Sequence, residues 1–197
     1  MKVLMILGSD YEDVEAIAAL DACSWTKYRD SMPIIEVAVA AFKNEVSGKF
    51  GTLLKSNFVI DENEINAEEF AGLVIPGGFR PAYDEVYCEQ VYELIRAFAD
   101  EGKPIATMCV GSICVARSGV LQNGKATTYE FSRHDNFAML EEEGCRAAHE
   151  SVCVSGNIIS CSGPLYSEQV MELFVGMLLS EEDAAELKKF RSGISQE

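Results

Sequence analysis

Short apolar runs alternate with amphipathic stretches along the chain, and glycine or proline marks most of the junctions. Residues 2–7 are apolar without a break after Lys2, the pattern of a strand buried on both faces, and Gly8-Ser9-Asp10 forms the turn that leaves it. In the next stretch Val14, Ile17, Ala18, Leu20 and Ala22 recur at roughly helical spacing, which predicts that they face inward. Asp10, Glu12, Asp13 and Glu15 crowd the start of that helix, where its dipole favours acids. Glu15 lies one step past Val14 and two before Ile17, beside the apolar stripe, and periodicity favours a solvated rim position for it over a buried one.

The same alternation continues. Residues 34–41 predict a second buried strand after Pro33, and 44–55 a hairpin punctuated by Gly48 and Gly51. Residues 70–75 predict a third strand, closed abruptly by Pro76-Gly77-Gly78. Residues 86–100 predict a helix carrying Val91, Leu94, Ile95 and Phe98 inward, stopped by Gly102-Lys103-Pro104. At 105–108 a short β-compatible run reaches Cys109, beyond which Ile113, Cys114 and Ala116 fall at helical spacing. A short strand at 125–129, a helix through Phe131, His134, Asp135, Phe137 and Leu140 ending at Gly144, and a strand pair at 152–154 and 158–161 follow. Pro164 opens a helix with Val170, Phe174, Met177 and Leu178 inward, and Ser180 with Asp183 resembles a capping box for a last helix, stopped at Gly193.

Strands alternating with amphipathic helices imply an α/β protein with an open, mostly parallel sheet covered on both faces. Sites in such sheets lie outside the carboxyl ends of the strands, where the acidic turn with Glu15, the Pro76-Gly77-Gly78 run and Cys109 all fall. A cysteine at a strand-to-helix turn sits near helix N–H groups that favour the thiolate, whereas a plain core cysteine fits the same short pattern. The stretch alone leaves both readings open.

The totals narrow the function. A chain of 197 residues with 48% hydrophobic content supports one domain over residues 1–197. The formal charge of −16 repels phosphate backbones and anionic membranes, which argues against nucleic-acid or membrane partners. No apolar run reaches the ~18 residues of a membrane span, and the start is too short for a signal sequence, so a soluble cytoplasmic protein is expected. Seven cysteines, an odd count with no Cys-x-x-Cys pair, predict reduced, exposed thiols rather than a disulfide framework. Cys145 with His149 lacks two further ligands, so no metal and no cofactor is expected.

Val74-Ile75-Pro76-Gly77-Gly78-Phe79, Ile105-Ala106-Thr107-Met108-Cys109 with Gly111, the acidic turn with Glu15, Ser155-Gly156-Asn157 and Ser162-Gly163-Pro164 together resemble the DJ-1/PfpI superfamily, relatives of the class I glutamine amidotransferases. The resemblance covers nearly the whole chain. It implies a flavodoxin-like three-layer sandwich and a homodimer. At the site it implies a nucleophile elbow at Cys109, Glu15 as its carboxyl partner, and oxyanion donors in the N–H groups of Gly78 and Val110. Cys109 would then be a low-pKa thiolate and Glu15 a desolvated, protonated carboxyl. Gly77, Phe79 and Tyr129, with Arg80 and Tyr83, are the pocket candidates. Family members often carry a histidine directly after the cysteine or in the strand beyond the elbow helix; here Val110 and Tyr129 stand at those places, and His134 and His149 match neither. The implied function is a cysteine-dependent enzyme of glyoxalase or deglycase type acting on a small reactive carbonyl. The alternative is a non-catalytic, oxidative-stress-responsive protein whose Cys109 becomes sulfinate, and a binding domain that leaves the thiol unused is a third reading.

Overall fold

The apolar runs pair side by side. A computed structural model describes residues 1–193; the last four residues of the domain expected over 1–197 lie outside it. Lys2–Ile6 (β1) leads through a turn into Asp13–Ser24 (α1), then Glu36–Ala41 (β2), the hairpin Glu45–Ser47 (β3) and Leu53–Lys55 (β4), and Phe58–Val59 (β5). Gly72–Ile75 (β6) is followed by Arg80–Val86 (α2), Glu89–Asp100 (α3), Ile105–Met108 (β7) and Gly111–Arg117 (α4). Lys125–Ala126 (β8), Asn136–Glu142 (α5), Arg146–Ala147 (β9), Val152–Ser155 (β10), Ile158–Cys161 (β11), Ser167–Leu178 (α6) and Glu181–Arg191 (α7) complete the chain.

The central sheet has the order β10-β11-β7-β6-β1-β2-β5 and is parallel except for β10, the antiparallel edge. From β1 the chain steps one way to β2 and later to the opposite side of β1 at β6. The order therefore reverses beside β1, and the crevice outside the β1, β6 and β7 ends is the natural place for a site. One face of the sheet packs Ala16, Ala19, Cys23, Val170, Met171 and Phe174 from α1 and α6, with Leu187 of α7. The other packs Val91, Ile95 and Phe98 of α3 with Ile113, Cys114 and Val115 of α4. Among the described residues no helix is long and apolar enough to cross a membrane.

Several expectations change. α1 buries Ala16, Ala19, Ala22 and Cys23, while Val14 and Ile17 point outward at 55% and 41% exposure. Small side chains let a helix lie close on a sheet, so volume rather than hydrophobicity chose the inner face. The helix expected over 86–100 begins only at Glu89, after an extended Cys88; Val86 closes α2, a short helix that the pattern did not announce. The strand expected at 125–129 stops at Ala126 and pairs with β9 apart from the main sheet. The helix expected to include Phe131 and His134 begins only after Asp135, whose carboxylate accepts the Ala138 N–H at 2.9 Å and caps it. Pro164 opens a 3₁₀ turn before α6, and Met177 faces out. The capping residue of α7 stands as read, with Ser180 accepting the Asp183 N–H at 3.0 Å. The thiols are free as expected, but all except the half-buried Cys88 are buried, in keeping with cysteine's behaviour as a small apolar side chain.

Candidate functional site

The elbow is built by close backbone approach. Cys109 follows β7 with φ of 53°, in the left-handed region that a side chain enters only under constraint. The constraint is visible on every side. Its N–H donates to the Cys161 carbonyl at 2.9 Å, and its own carbonyl accepts the Thr128 hydroxyl at 3.0 Å. A Cβ on Gly77 would stand 2.7 Å from the Cys109 Cβ, and one on Gly111 would stand 2.5 Å from the Ile75 carbonyl oxygen, so only glycine fits at either place. The Tyr87 hydroxyl donates to the Val110 carbonyl at 2.9 Å, fixing the peptide just past the cysteine.

Glu15 reaches this elbow from α1. It is fully buried, correcting the solvated position that periodicity favoured. The helix turn that carries it is pressed onto the sheet by alanines, which draws its carboxyl beneath the crevice. Oε2 accepts the Gly77 N–H at 2.6 Å, and Oε1 is buried with no partner among the described residues. Burial, opposed by that one hydrogen bond and reinforced by the charge of Glu12, pushes the carboxyl up to about 8. Glu15 is therefore protonated at neutral pH, with the hydrogen available at Oε1.

The thiol answers differently from the expected low-pKa thiolate. Burial pushes Cys109 well up, a charged Glu15 pushes it further, and the Val110 N–H at the sulfur draws it back. At 8% exposure the loss of solvation outweighs the favourable start of α4. Since Glu15 holds its proton at neutral pH, its opposing charge is removed there, and the two groups share one proton inventory.

The remaining candidates divide. Gly78 is flanked by the Glu12-to-Gly77 and Phe79-to-Asp10 backbone bonds, and its own N–H makes no hydrogen bond among the described residues, whereas the Val110 N–H meets the Cys109 sulfur. A Cβ on Gly78 would meet Tyr11 Cα at 2.7 Å. Phe79 turns its ring to the hairpin loop, edge-on to Phe50 at 5.7 Å and beneath Lys49, forming an outer wall rather than contacting the sulfur. Arg80 is solvent-exposed beside Asp84. Tyr129, 41% exposed, lies against Gly163 and near the Tyr83 hydroxyl. Tyr83 stacks on Tyr87 with ring centroids 5.6 Å apart. Burial, then the neighbouring Cys109, Glu15 and Tyr129, push its phenol upward, so it stays a hydrogen-bond donor facing the site. His134 stacks on Phe131 and His149 on Phe137; neither hydrogen-bonds to Cys109 or Glu15 among the described residues.

Three participants escaped the sequence reading. Half-buried Glu12 adds negative charge against both Glu15 and Cys109. Tyr87 clamps the elbow, and Cys161 adjoins it through β11. The four-residue strand ending in Cys161 carried the only signal for the last, and it is legible only once β11 is paired with β7.

A parallel sheet with a left-handed cysteine above its end, and a buried carboxyl below, defines an α/β protein of the cysteine-elbow class. The sequence model described as the DJ-1/PfpI family matches residues 1–177. A protein named Deglycase PfpI from Pyrococcus furiosus is 33% identical over 179 residues, covering 90% of this chain and 99% of the relative. Deglycase PH1704 from Pyrococcus horikoshii is 31% identical with the same coverage. Among solved structures, DJ-1 of Schizosaccharomyces pombe superposes with a TM-score of 0.81 at 18% identity, covering 98% of this chain and 99% of that one. The chain belongs to the DJ-1/PfpI family, and its sandwich is the flavodoxin-like fold of that family.

Proposed function

We propose that the protein is a cysteine-dependent enzyme acting on small reactive carbonyls, with Cys109 as nucleophile and Glu15 as its proton-transfer partner. The observation that carries this reading is the buried, protonated Glu15, whose unpartnered Oε1 lies beneath the strained Cys109 elbow. The deglycase relatives support the reaction class.

With a 2-oxoaldehyde, the Cys109 sulfur bonds to the aldehyde carbon and the C=O π pair moves onto oxygen. That oxygen takes the Glu15 proton, and the carboxylate so formed takes the proton of the thiol. The Gly78 and Val110 N–H groups and the Tyr83 hydroxyl hold the oxygen as charge develops. Transfer of the C1 proton of the hemithioacetal to C2, through Glu15, gives a thioester that water cleaves to a 2-hydroxy acid and free thiol. Without a histidine to take the thiol proton ahead of attack, deprotonation waits on Glu15, and turnover is slow. Methylglyoxal consumption tests the reading: Cys109→Ala abolishes it, and equal rates in this variant and the parent would sink the proposal.

A homodimer belongs to the same reading. It is supported by the outward Val14 and Ile17 of α1, an apolar pair that a second copy would cover.

A further inference from the structure

We propose that Cys161 is a resolving thiol for Cys109, so that a hydroperoxide converts the pair into an intramolecular disulfide in place of a sulfinate. The inference rests on the reactive Cys109 of the reading above and adds a second, unassigned sulfur to it.

β11 lies directly beside β7, with Cys161 opposite Met108, one residue before the elbow. The Cys109 N–H donates to the Cys161 carbonyl at 2.9 Å, so the backbones of the two cysteines are themselves joined. Because Cys161 is registered on Met108, its α-carbon lies diagonally across from that of Cys109; strands ~4.8 Å apart with a rise of ~3.3 Å per residue put the two about 6 Å apart, inside the ~4.4–6.8 Å that α-carbons of bridged cysteines span. Cys161 packs on the α1 and α6 side of the core and Cys109 on the α4 side, so the bridge would close around the end of the sheet, where the Cys109 N–H meets the Cys161 sulfur as well as its carbonyl. Cys161 is a free thiol, fully buried, with its sulfur 3.4 Å from the Gly163 carbonyl. Glu15 faces both thiols, and its charge opposes the ionisation of each. None of the other five cysteines bonds to the elbow backbone in this way among the described residues: Cys114 bonds to the Val86 carbonyl and Cys145 to that of Arg146.

The steps balance. The Cys109 thiolate attacks the outer oxygen of the hydroperoxide, the O–O bond breaks, and the alcohol leaves after taking a proton, with Cys109 now a sulfenic acid. The Cys161 sulfur then attacks the Cys109 sulfur. The S–S bond forms, the S–O bond breaks, and the departing hydroxide takes the Cys161 proton as water. Two thiols lose two electrons and the peroxide gains them. Burial holds Cys161 up to about 12, so resolution needs a proton acceptor, and Glu15 becomes one as pH rises through about 8. Below that pH a second peroxide competes with Cys161 for the sulfenate.

The test treats the full chain with two equivalents of hydrogen peroxide, enough to carry one thiol to sulfinate, and digests it without reductant. The expected product is a peptide joining Cys109 to Cys161, with a mass loss of about 2 Da, whose yield is larger at pH 9 than at pH 7. In Cys161→Ser, Cys109 instead gains about 32 Da. A gain of about 32 Da at Cys109 at equal rates in both proteins, with no joined peptide, overturns the inference. Should Cys161→Ser not fold, the joined peptide in the parent decides the matter alone. A parent that turns over methylglyoxal yet forms no such peptide overturns this inference only; one that neither turns over nor takes up oxidant overturns the reactive thiol as well.

Discussion

Asp13 and Glu15 stand two residues apart on the first turn of α1, both buried, and the regions they serve behave in opposite ways. Asp13 faces the β3–β4 hairpin and accepts the Phe50 N–H at 2.8 Å, the Thr52 N–H at 2.9 Å and the Thr52 hydroxyl at 2.7 Å. Burial works against its charge, but these donors outweigh it and hold the carboxyl below its ordinary value. Glu15 faces the elbow and receives one donor, from Gly77. Burial wins there, and the carboxyl keeps its proton. Donors and depth act together: Asp13 is satisfied by several donors at a shallower position, while Glu15 lies deeper with one, and so the first keeps its charge and the second its proton.

The largest expected effect removes the partner that makes the elbow side reactive. Cys109→Ala takes methylglyoxal turnover to background while leaving the Asp13 side intact, as a thermal melt close to that of the parent would show. Next, Glu15→Gln lowers turnover by about 10²–10⁴-fold, since the amide cannot accept the thiol's proton. It also flattens a pH slope. A carboxyl whose folded pKa is raised binds more protons in the native than in the unfolded state, so the parent loses stability as pH rises from about 4.5 through about 8. Urea midpoints should fall across that window in the parent and much less in the variant.

Asp13→Ala should cost about 2–3 kcal/mol, because the hairpin loses a charged acceptor and keeps three donors to satisfy. Its pH dependence has the opposite sign: the stability Asp13 supplies is present above its ordinary carboxylate pKa and lost as pH falls through the depressed folded value. Acid titration of tryptophan or far-UV signals in parent and variant would read that difference. The smallest effect is that of Tyr83→Phe, about tenfold in kcat/KM, one hydrogen bond to the developing oxyanion. Unchanged kinetics would remove Tyr83 from the site and leave it as packing for Tyr87.

The comparison also explains what the sequence could carry. Strand, turn and helix are local properties, so the buried runs, the Gly77-Gly78 break, the Cys109 junction and the Ser180 cap were all legible. The orientation of α1 was not, because a stripe of Val14, Ile17 and Leu20 outscores Ala16, Ala19 and Ala22 in hydrophobicity, while close approach to the sheet rewards small volume. Misplacing that face put Glu15 at the rim. Its motif company, rather than its periodicity, was what pointed to the elbow. The thiol's acidity was misread because a helix end is visible in sequence, whereas desolvation requires knowing what covers the sulfur. Cys161 lies in an ordinary buried strand, and only the register of β11 against β7 gives it a neighbour worth naming.

The left-handed backbone at Cys109 sets stability against chemistry at a single position. Glycine adopts φ of 53° freely, whereas a side chain there costs of order 1–3 kcal/mol, which the glycines and hydrogen bonds around the elbow must offset. A chain drifting toward thermal robustness alone would exchange this cysteine for glycine and lose its sulfur. A side chain that strains the backbone here is therefore one whose retention in a lineage reports a use for the thiol.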